Sequence, residues 1–373
     1  MKRIILSVTN DLVTDQRVHR SCIALHEAGY DVTLVGRLLP ESVPVERPYR
    51  TIRMRLFFRR KALFYAEYNI RLFIRLLFSR TDLFYANDTD VLVANYCASK
   101  LRKKPLFVDA HEMFPEMPEL VGRPRIKAFW QKIEDRIYPH VEHCCTVCQS
   151  IADIYNKRYG VDMKVVRNVP MRSENRRRGD NMRPPYTLLY QGAVNVGRGL
   201  EEILAAMPLL TDCRLLVAGE GDKSEEVRRM ARDMGLGEDK VRFLGRLPLS
   251  ELRSITMQAD LGISLLKNLG LNYYYSLPNR IADFAQSGVP VLATDFPEIK
   301  AVIEKYGIGT LVPSGEEDNP QILAEHIRKA LDYWQQIDLT ERDFRFAKAG
   351  EELCWEHDKN ILLSSIDAIF KNQ

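Results

Sequence analysis

Thr187-Leu-Leu-Tyr190-Gln-Gly192-Ala-Val-Asn-Val-Gly197-Arg198-Gly199 carries an apolar run into a glycine-rich turn, and a helical pattern follows from Leu200. Strand, glycine turn and helix in that order open a βα unit, whose turn lies at the carboxyl end of a parallel strand. Working towards the C-terminus, further strands are expected at 214–217, 241–244, 261–264, 289–293 and 309–312, with helices between them and closing helices at 322–335 and 351–370. Towards the N-terminus, residues 171–185 read MRSENRRRGDNMRPP, with no apolar periodicity, and are expected to be a linker. Before them the alternation runs again: strands at 4–8, 32–35, 52–57, 83–86, 106–108, 144–147 and 164–167, helices at 17–28, 62–78, 91–100, 125–138 and 150–159. The expected fold class is α/β, with two parallel sheets covered on both faces.

The chain has 373 residues, enough for two domains at roughly 150 residues each. Apolar residues make up 46% and charged residues 28%, close to globular averages, which excludes a disordered or collagen-like chain. No 18 consecutive residues are apolar, so no membrane span is expected. The opening MKRIILSVTNDLVTD turns polar too soon for a signal peptide and reads as a first strand. Seven cysteines, scattered and odd in number, suit a reduced cytoplasmic protein.

The formal charge of +4 is unevenly spread: +9 up to Asn168 and −5 after it. Nine arginines or lysines between Arg50 and Arg80 face a single acid, Glu67, and phenylalanines 57, 58, 64, 73 and 78 interleave with them. Residues 50–80 are therefore expected to meet an anionic membrane surface or a phosphorylated ligand. Glu67, Arg71 and Arg75 stand four apart and are expected to form one solvated stripe. No nucleic-acid motif accompanies the charge, so no nucleic-acid partner is expected.

Four stretches carry chemistry. The turn from Gly192 to Gly199 would let backbone amides approach a phosphate, with Arg198 as a two-donor clamp. Ala218-Gly219-Glu220-Gly221-Asp222 repeats that logic at another strand end. In Tyr273-Tyr-Tyr275-Ser-Leu-Pro278-Asn279-Arg280-Ile-Ala-Asp283, Pro278 opens a helix, Asn279 and Arg280 lie at its start, and Asp283 shares the Asn279 face, where it could accept from ribose hydroxyls. Asp109-Ala-His111-Glu112 follows a strand, where active-site groups sit. Two other stretches are decoys. Asp88-Thr-Asp90 has the form of a metal–nucleotide DxD, yet it joins a strand to a helix and reads as a cap made by Asp88 or Thr89. His140-Val-Glu-His143-Cys144-Cys145-Thr-Val-Cys148 has zinc-ligand residue types, but neighbouring side chains on a strand point to opposite faces. No metal site and no cofactor are expected.

Taken together, DQRVHRSCIALHEAGYDVTLVG, DAHEMFPE, VRNVP, YQGAVNVGRGLEEIL, AGEGDKSEEVRRMARDMGL, VRFLGRLPLSEL, ADLGISLL and SLPNRIADFAQSGVPVLAT make the chain similar, over nearly its whole length, to the retaining glycosyltransferases of family 4, with their two-domain GT-B fold. The resemblance is to a branch found in polysaccharide biosynthesis. It implies an acceptor-binding domain at 1–170, a linker at 171–185, a nucleotide-sugar domain at 186–350, and a terminal helix at 351–373 crossing back to the first domain. Ligands would bind in the cleft between the domains.

Residue by residue, the resemblance implies that Arg198 matches a diphosphate-binding lysine and Gly192 the glycine opening its loop. Asp283 matches the second of the family's paired glutamates, which binds ribose. Arg246 and Leu247 match the segment near the base, and His111 the histidine facing the donor sugar. The loop from Asn10 through Asp15 to Arg17, with Glu112, matches the acceptor and phosphate side. Gly219, Gly221, Pro278 and Asn279 belong to the donor site. The chain departs from the family at Ala193, where an arginine is usual, at Tyr275, which replaces the first glutamate, and at Asp283, which is shorter. Arg280 is expected to supply the missing cation.

The function this implies is metal-independent, retaining transfer of a sugar from a nucleotide sugar to a glycan or lipid-linked acceptor. The enzyme would be cytoplasmic and peripheral at the inner membrane face. A nucleotide-sugar 2-epimerase of the same architecture and a non-catalytic nucleotide-sugar-binding subunit are the alternatives.

Overall fold

The computed structural model describes residues 1–13, 15–120, 122–177 and 182–371, with the side chain of Glu119 left out. The chain divides into two compact units, residues 1–168 with 358–373, and residues 169–357.

The first unit holds a seven-stranded parallel sheet. Its strands are β1 (Arg3–Ser7), β2 (Asp31–Leu38), β3 (Arg50–Arg55), β4 (Leu83–Asn87), β5 (Leu106–Ala110), β6 (His143–Thr146) and β7 (Lys164–Val165), in the order β3-β2-β1-β4-β5-β6-β7. The connecting helices are α1 (Gln16–Glu27), α2 (Lys61–Phe78), α3 (Leu92–Arg102), α4 (Pro124–Ile137) and α5 (Gln149–Tyr159). Every residue of β4 and β5 is buried, as expected of strands covered on both faces. Strand order reverses between β1 and β4, so the carboxyl ends of those strands form the crevice where ligands of such sheets bind.

The second unit repeats the plan with β8 (Tyr186–Gln191), β9 (Cys213–Ala218), β10 (Val241–Gly245), β11 (Leu261–Ser264), β12 (Val291–Thr294) and β13 (Gly309–Val312), in the order β10-β9-β8-β11-β12-β13. Its reversal falls between β8 and β11, beside the glycine turn that follows β8. The helices are α6 (Leu200–Ala206), α7 (Ser224–Asp233), α8 (Leu249–Thr256), α9 (Leu271–Tyr274), α10 (Asn279–Ser287), α11 (Pro297–Tyr306), α12 (Pro320–Gln336), α13 (Leu339–Glu352) and α14 (Trp355–Lys371), the last running mostly in the first unit.

Three expectations change. The stretch 171–185 is not a free linker where it is described, since its backbone and side chains are built into the second unit. Ser173 N–H donates to Gln286, Arg177 N–H donates to the Ser287 carbonyl, and the Arg177 guanidinium pairs with Asp260 at 2.9 Å. Residues 178–181 of that stretch lie outside the described residues. The closing helix expected at 351–370 is α14, which begins four residues later at Trp355, and it is preceded by a helix the sequence reading does not place, α13, started by Asp338 accepting from Glu341 N–H and ending at Glu352. The boundary of the terminal segment falls at His357 and Asp358 rather than at 350 and 351, and residues 372 and 373 of the expected helix lie outside the described residues. Asp358, fully buried, ties α14 down by accepting from the Arg167 backbone N–H and from its guanidinium at 2.7 Å.

Glu67 is not part of a solvated stripe either. Its carboxylate accepts from the backbone N–H groups of Phe57 and Phe58 and pairs with Arg71 at 2.8 Å. The loop after β3 is thereby pinned to α2, and Phe57 stands 83% exposed with the Arg71 guanidinium over its ring.

Candidate functional site

In the second unit, β8 ends at Gln191 and the chain turns sharply at Gly192, whose φ of 123° only glycine adopts without strain. The turn packs on the neighbouring glycine turn after β9. A Cβ on Gly219 would stand 1.8 Å from the Gly192 carbonyl oxygen, and one on Gly221 would stand 2.3 Å from Asn195 Oδ1. Gly192 N–H donates to Ala218 and Gly219 N–H to Gly245. Gly219 and Gly221 are thus required by contact between the two turns, and neither the Gly192 nor the Gly219 amide is spare for a phosphate. The amides of residues 196–199 have no acceptor among the described residues.

Two guanidinium groups flank this turn. Arg280, in the first turn of α10, is 6% exposed and lies over the Tyr190 ring at 4.6 Å; an ideal Cβ on Gly192 would be 3.6 Å from its Nη2. Arg198 lies over the Tyr273 ring at 4.7 Å. Arg280 Nη1 and Arg198 Nε are buried and have no hydrogen-bond partner among the described residues. An unsatisfied buried guanidinium donor is costly, and an anion is the partner that satisfies it best. Arg280, expected to supply the cation missing at Ala193, has its guanidinium beside the Gly192 turn.

Asp283 sits one turn further along α10, half-buried, and accepts from Gln191 Nε2 at 3.4 Å; Gln191 in turn accepts from Thr256. Gln191 is a positioning residue that the sequence reading misses, although its place between strand and glycine was its signal. Pro278 precedes α10 as its N-cap residue, Asn279 is exposed, and Tyr275 is half-buried beside Tyr274. Arg246 is exposed after β10, while Leu247 packs against the core.

In the first unit the carboxyl ends of β4 and β5 build a charged cage around His111. Its Nδ1 is 3.3 Å from Asp88 and its Nε2 is 3.3 Å from Asp109, though the latter contact is not aligned as a hydrogen bond. Asp88 also accepts from the His111 backbone N–H at 2.6 Å. To do so it takes φ 68° and ψ 168°, a region almost confined to glycine, at a cost of order 1–3 kcal/mol. Burial opposes charge on His111, but the carboxylates of Asp88 and Asp109 outweigh it and raise its pKa to about 9. Burial pushes Asp88 up to about 6 against the pull of His111. Burial also disfavours the charge on Asp109, yet Arg17 and His111 hold it well below the usual carboxylate range. At neutral pH His111 is therefore a cation held between two carboxylates.

Asp88 and Thr89 do not cap the following helix. The carboxylate of Asp88 goes to His111, and the Thr89 hydroxyl donates to Glu134, a buried carboxyl raised to about 7 by burial. Asp90 accepts from Thr9. Arg17 is corrected as well: it is not a ligand group, because Nε and Nη2 bond Asp109 and Nη1 donates to the Val166 carbonyl, all in the interior. Asn10 donates to Asp15, and Asp15 caps α1 by accepting from Val18 N–H. Glu112 is exposed. The three cysteines near β6 are buried, and no cluster of metal-ligating side chains is found among the described residues.

The cage makes a pH prediction. A histidine whose folded pKa exceeds its unfolded value of about 6.5 stabilises the fold fully below that value and loses the contribution as pH rises towards 9. In Asp88→Asn one of the two carboxylates is gone, so the His111 titration, followed by NMR of its ring carbons, is expected to fall by more than one pH unit. An unmoved titration would mean that Asp88 does not hold the imidazolium.

Residues 15–170 match the family model described as Glycosyltransferase Family 4, and residues 185–333 match the one described as Glycosyl transferases group 1. A phosphatidyl-myo-inositol mannosyltransferase of Mycobacterium leprae is 26% identical over 190 residues. That match spans 50% of this chain and 46%, about half, of the relative. Among solved structures, a sucrose-phosphate synthase of Thermosynechococcus elongatus superposes with a TM-score of 0.80 at 17% identity, covering 100% of both chains. HepE of Anabaena, solved with UDP-glucose, superposes with a TM-score of 0.72 at 14% identity over 99% of this chain and 100% of that one. The two parallel-sheet units have the GT-B fold.

Proposed function

We propose that this chain, a glycosyltransferase of the family 4 type, moves a sugar from a nucleotide sugar to a glycan or lipid-linked acceptor, with retention of anomeric configuration and without a metal. The observation that carries the reading is the pair of buried, unsatisfied guanidinium donors of Arg198 and Arg280 at the glycine turn after β8. The mannosyltransferase likeness supports sugar transfer, and the UDP-glucose held by HepE supports a nucleotide-sugar donor.

When the anomeric C–O bond breaks, negative charge collects on the leaving diphosphate. Arg198, Arg280 and the amides of residues 196–199 would stabilise it where it forms. Asp283, steadied by Gln191, would accept from the ribose hydroxyls, and the Arg246–Leu247 segment would lie near the base. His111, kept cationic by Asp88 and Asp109, would donate from Nε2 to a sugar hydroxyl and orient the ring. The acceptor oxygen then bonds the anomeric carbon on the face the diphosphate leaves, and its proton passes to the departing phosphate oxygen. The residue types fit a metal-independent reaction, since fixed cations take the role a divalent ion plays elsewhere.

The acceptor is proposed to reach the enzyme at a membrane. No helix among the described residues is long and apolar enough to cross one. On α2, however, Leu63, Ile70, Ile74 and Phe78 are exposed along one stripe, flanked by Arg71 and Arg75, with Phe57 and Phe58 beside it. Such a basic and apolar face suits an anionic leaflet, on the cytoplasmic side if the scattered thiols stay reduced.

Incubation with a panel of nucleotide sugars in EDTA, with the product's anomeric centre read by NMR, tests the reading. Transfer with retention in EDTA is the expected result. An inverted product, a metal requirement, or an epimerised donor formed without acceptor would reject it.

A further inference from the structure

At the other end of the first sheet, away from His111, the amino-terminal ends of β1 and β2, the edge strand β3 and the last turns of α2 enclose an open groove of about 960 Å³. Ile5 and Met54 are buried in its floor, Ile52 is half-buried beside them, and Ile74 and Phe78 of α2 form its exposed apolar wall. Seven arginines line it against one carboxylate, Asp31. Arg3 is paired with Asp82, Arg71 with Glu67, and Arg53 donates to the Val43 carbonyl. Arg50, Arg55, Arg75 and Arg80 have no ion-pair partner among the described residues, and all four are exposed at the rim. Four exposed guanidinium groups with no protein counter-ion around one cavity set up a positive potential that favours an anionic occupant. Guanidinium forks suit phosphate, while the floor suits hydrocarbon.

We infer that this groove binds a single phosphate-headed lipid molecule, its phosphate held by Arg50, Arg75 and Arg80 and its chain laid on Ile5, Ile52, Met54 and Ile74. The site is continuous with the exposed stripe of α2, so it deepens the membrane reading of residues 50–80 and rests on it, with the bound lipid seating that face in a fixed orientation. Charge on an edge strand also discourages strand-to-strand aggregation, but that purpose asks for no cavity and no apolar floor.

Dihexanoyl phosphatidic acid below its micelle concentration, titrated by calorimetry into the full chain, is the test. Saturable one-to-one binding is expected. Glycerol phosphate is expected to bind at least tenfold more weakly, since each methylene that leaves water adds about fourfold. Dihexanoyl phosphatidylcholine should be weaker as well. The triple variant Arg50→Ser, Arg75→Ser, Arg80→Ser, all surface positions, should keep its melting temperature and lose at least tenfold in affinity. The inference is overturned if the monomeric lipid does not saturate, if glycerol phosphate binds as tightly as the lipid, or if the triple variant binds unchanged. Flotation with phosphatidylglycerol vesicles separates the two readings. Vesicle binding without monomer binding leaves only surface adsorption and removes the groove. Monomer binding without vesicle binding keeps the groove and removes only the membrane contact.

Discussion

Replacing Arg280 with alanine is expected to lower turnover by about 10²- to 10³-fold, the usual effect of deleting one preorganised contact to a developing oxyanion. The guanidinium is held over Tyr190 and against Gly192 with one donor already unsatisfied, so it is placed before the ligand arrives and need not reorganise during the reaction. Only Arg198 would remain as a cation at the turn, because the position after Gly192 is Ala193. Arg280→Lys keeps the charge and loses the two-pronged geometry, so it should recover only part of the rate. Because Arg280 is buried, the melting temperature must be read beside the rate: a folded variant with near-normal turnover would show that the cation is not used.

The second large effect is on stability. Arg17→Met is expected to destabilise the first unit by about 3–5 kcal/mol, since it leaves the Asp109 carboxylate buried without its main counter-ion. Arg17 and Asp109 are 3% and 1% exposed at their side chains, and the pair is 2.6 Å apart. The Tyr85 hydroxyl donates to the same carboxylate, and the His111 imidazolium remains beside it, so Asp109 would not be wholly uncompensated. Urea unfolding with hydrogen exchange at the β5 amides checks this. The double variant Arg17→Met, Asp109→Asn should be less damaged than the sum of the single changes. A loss below about 1 kcal/mol in Arg17→Met would place the pair among contacts of no consequence.

How much of this is legible without coordinates depends on how local the cause is. The inner strands can be read because burial on two faces makes them short, mostly apolar runs, as in Leu261–Ser264, all four residues buried; the edge strand Gly309–Val312 is placed to the residue as well, although only Val312 is buried. Helix α13 escapes because LTERDFRFAKAGEE is mostly polar and buries only Arg342, Phe346, Ala349 and Gly350. Arg280 is found because helix position and chemistry coincide within a few residues. The cage around His111 is hidden because Asp88, just past the end of β4, and Asp109, on β5, meet only through the β4–β5 pairing, where Asn87 lies opposite Asp109. Arg17 misleads for the same reason: its position in a polar loop suggests a ligand group, while its partner lies 92 residues away in the interior. Glu67 reads as surface charge until the loop it pins is seen. The groove under α2 needs three strands in register before its floor exists.

Crystals grown with a nucleoside diphosphate in saturating amount ask the decisive question. The pyrophosphate should lie at the turn after β8, its oxygens about 2.7–3.1 Å from guanidinium nitrogens of Arg198 and Arg280. A pyrophosphate bound elsewhere on the chain, with both guanidinium groups untouched, would contradict the proposed role of the second unit.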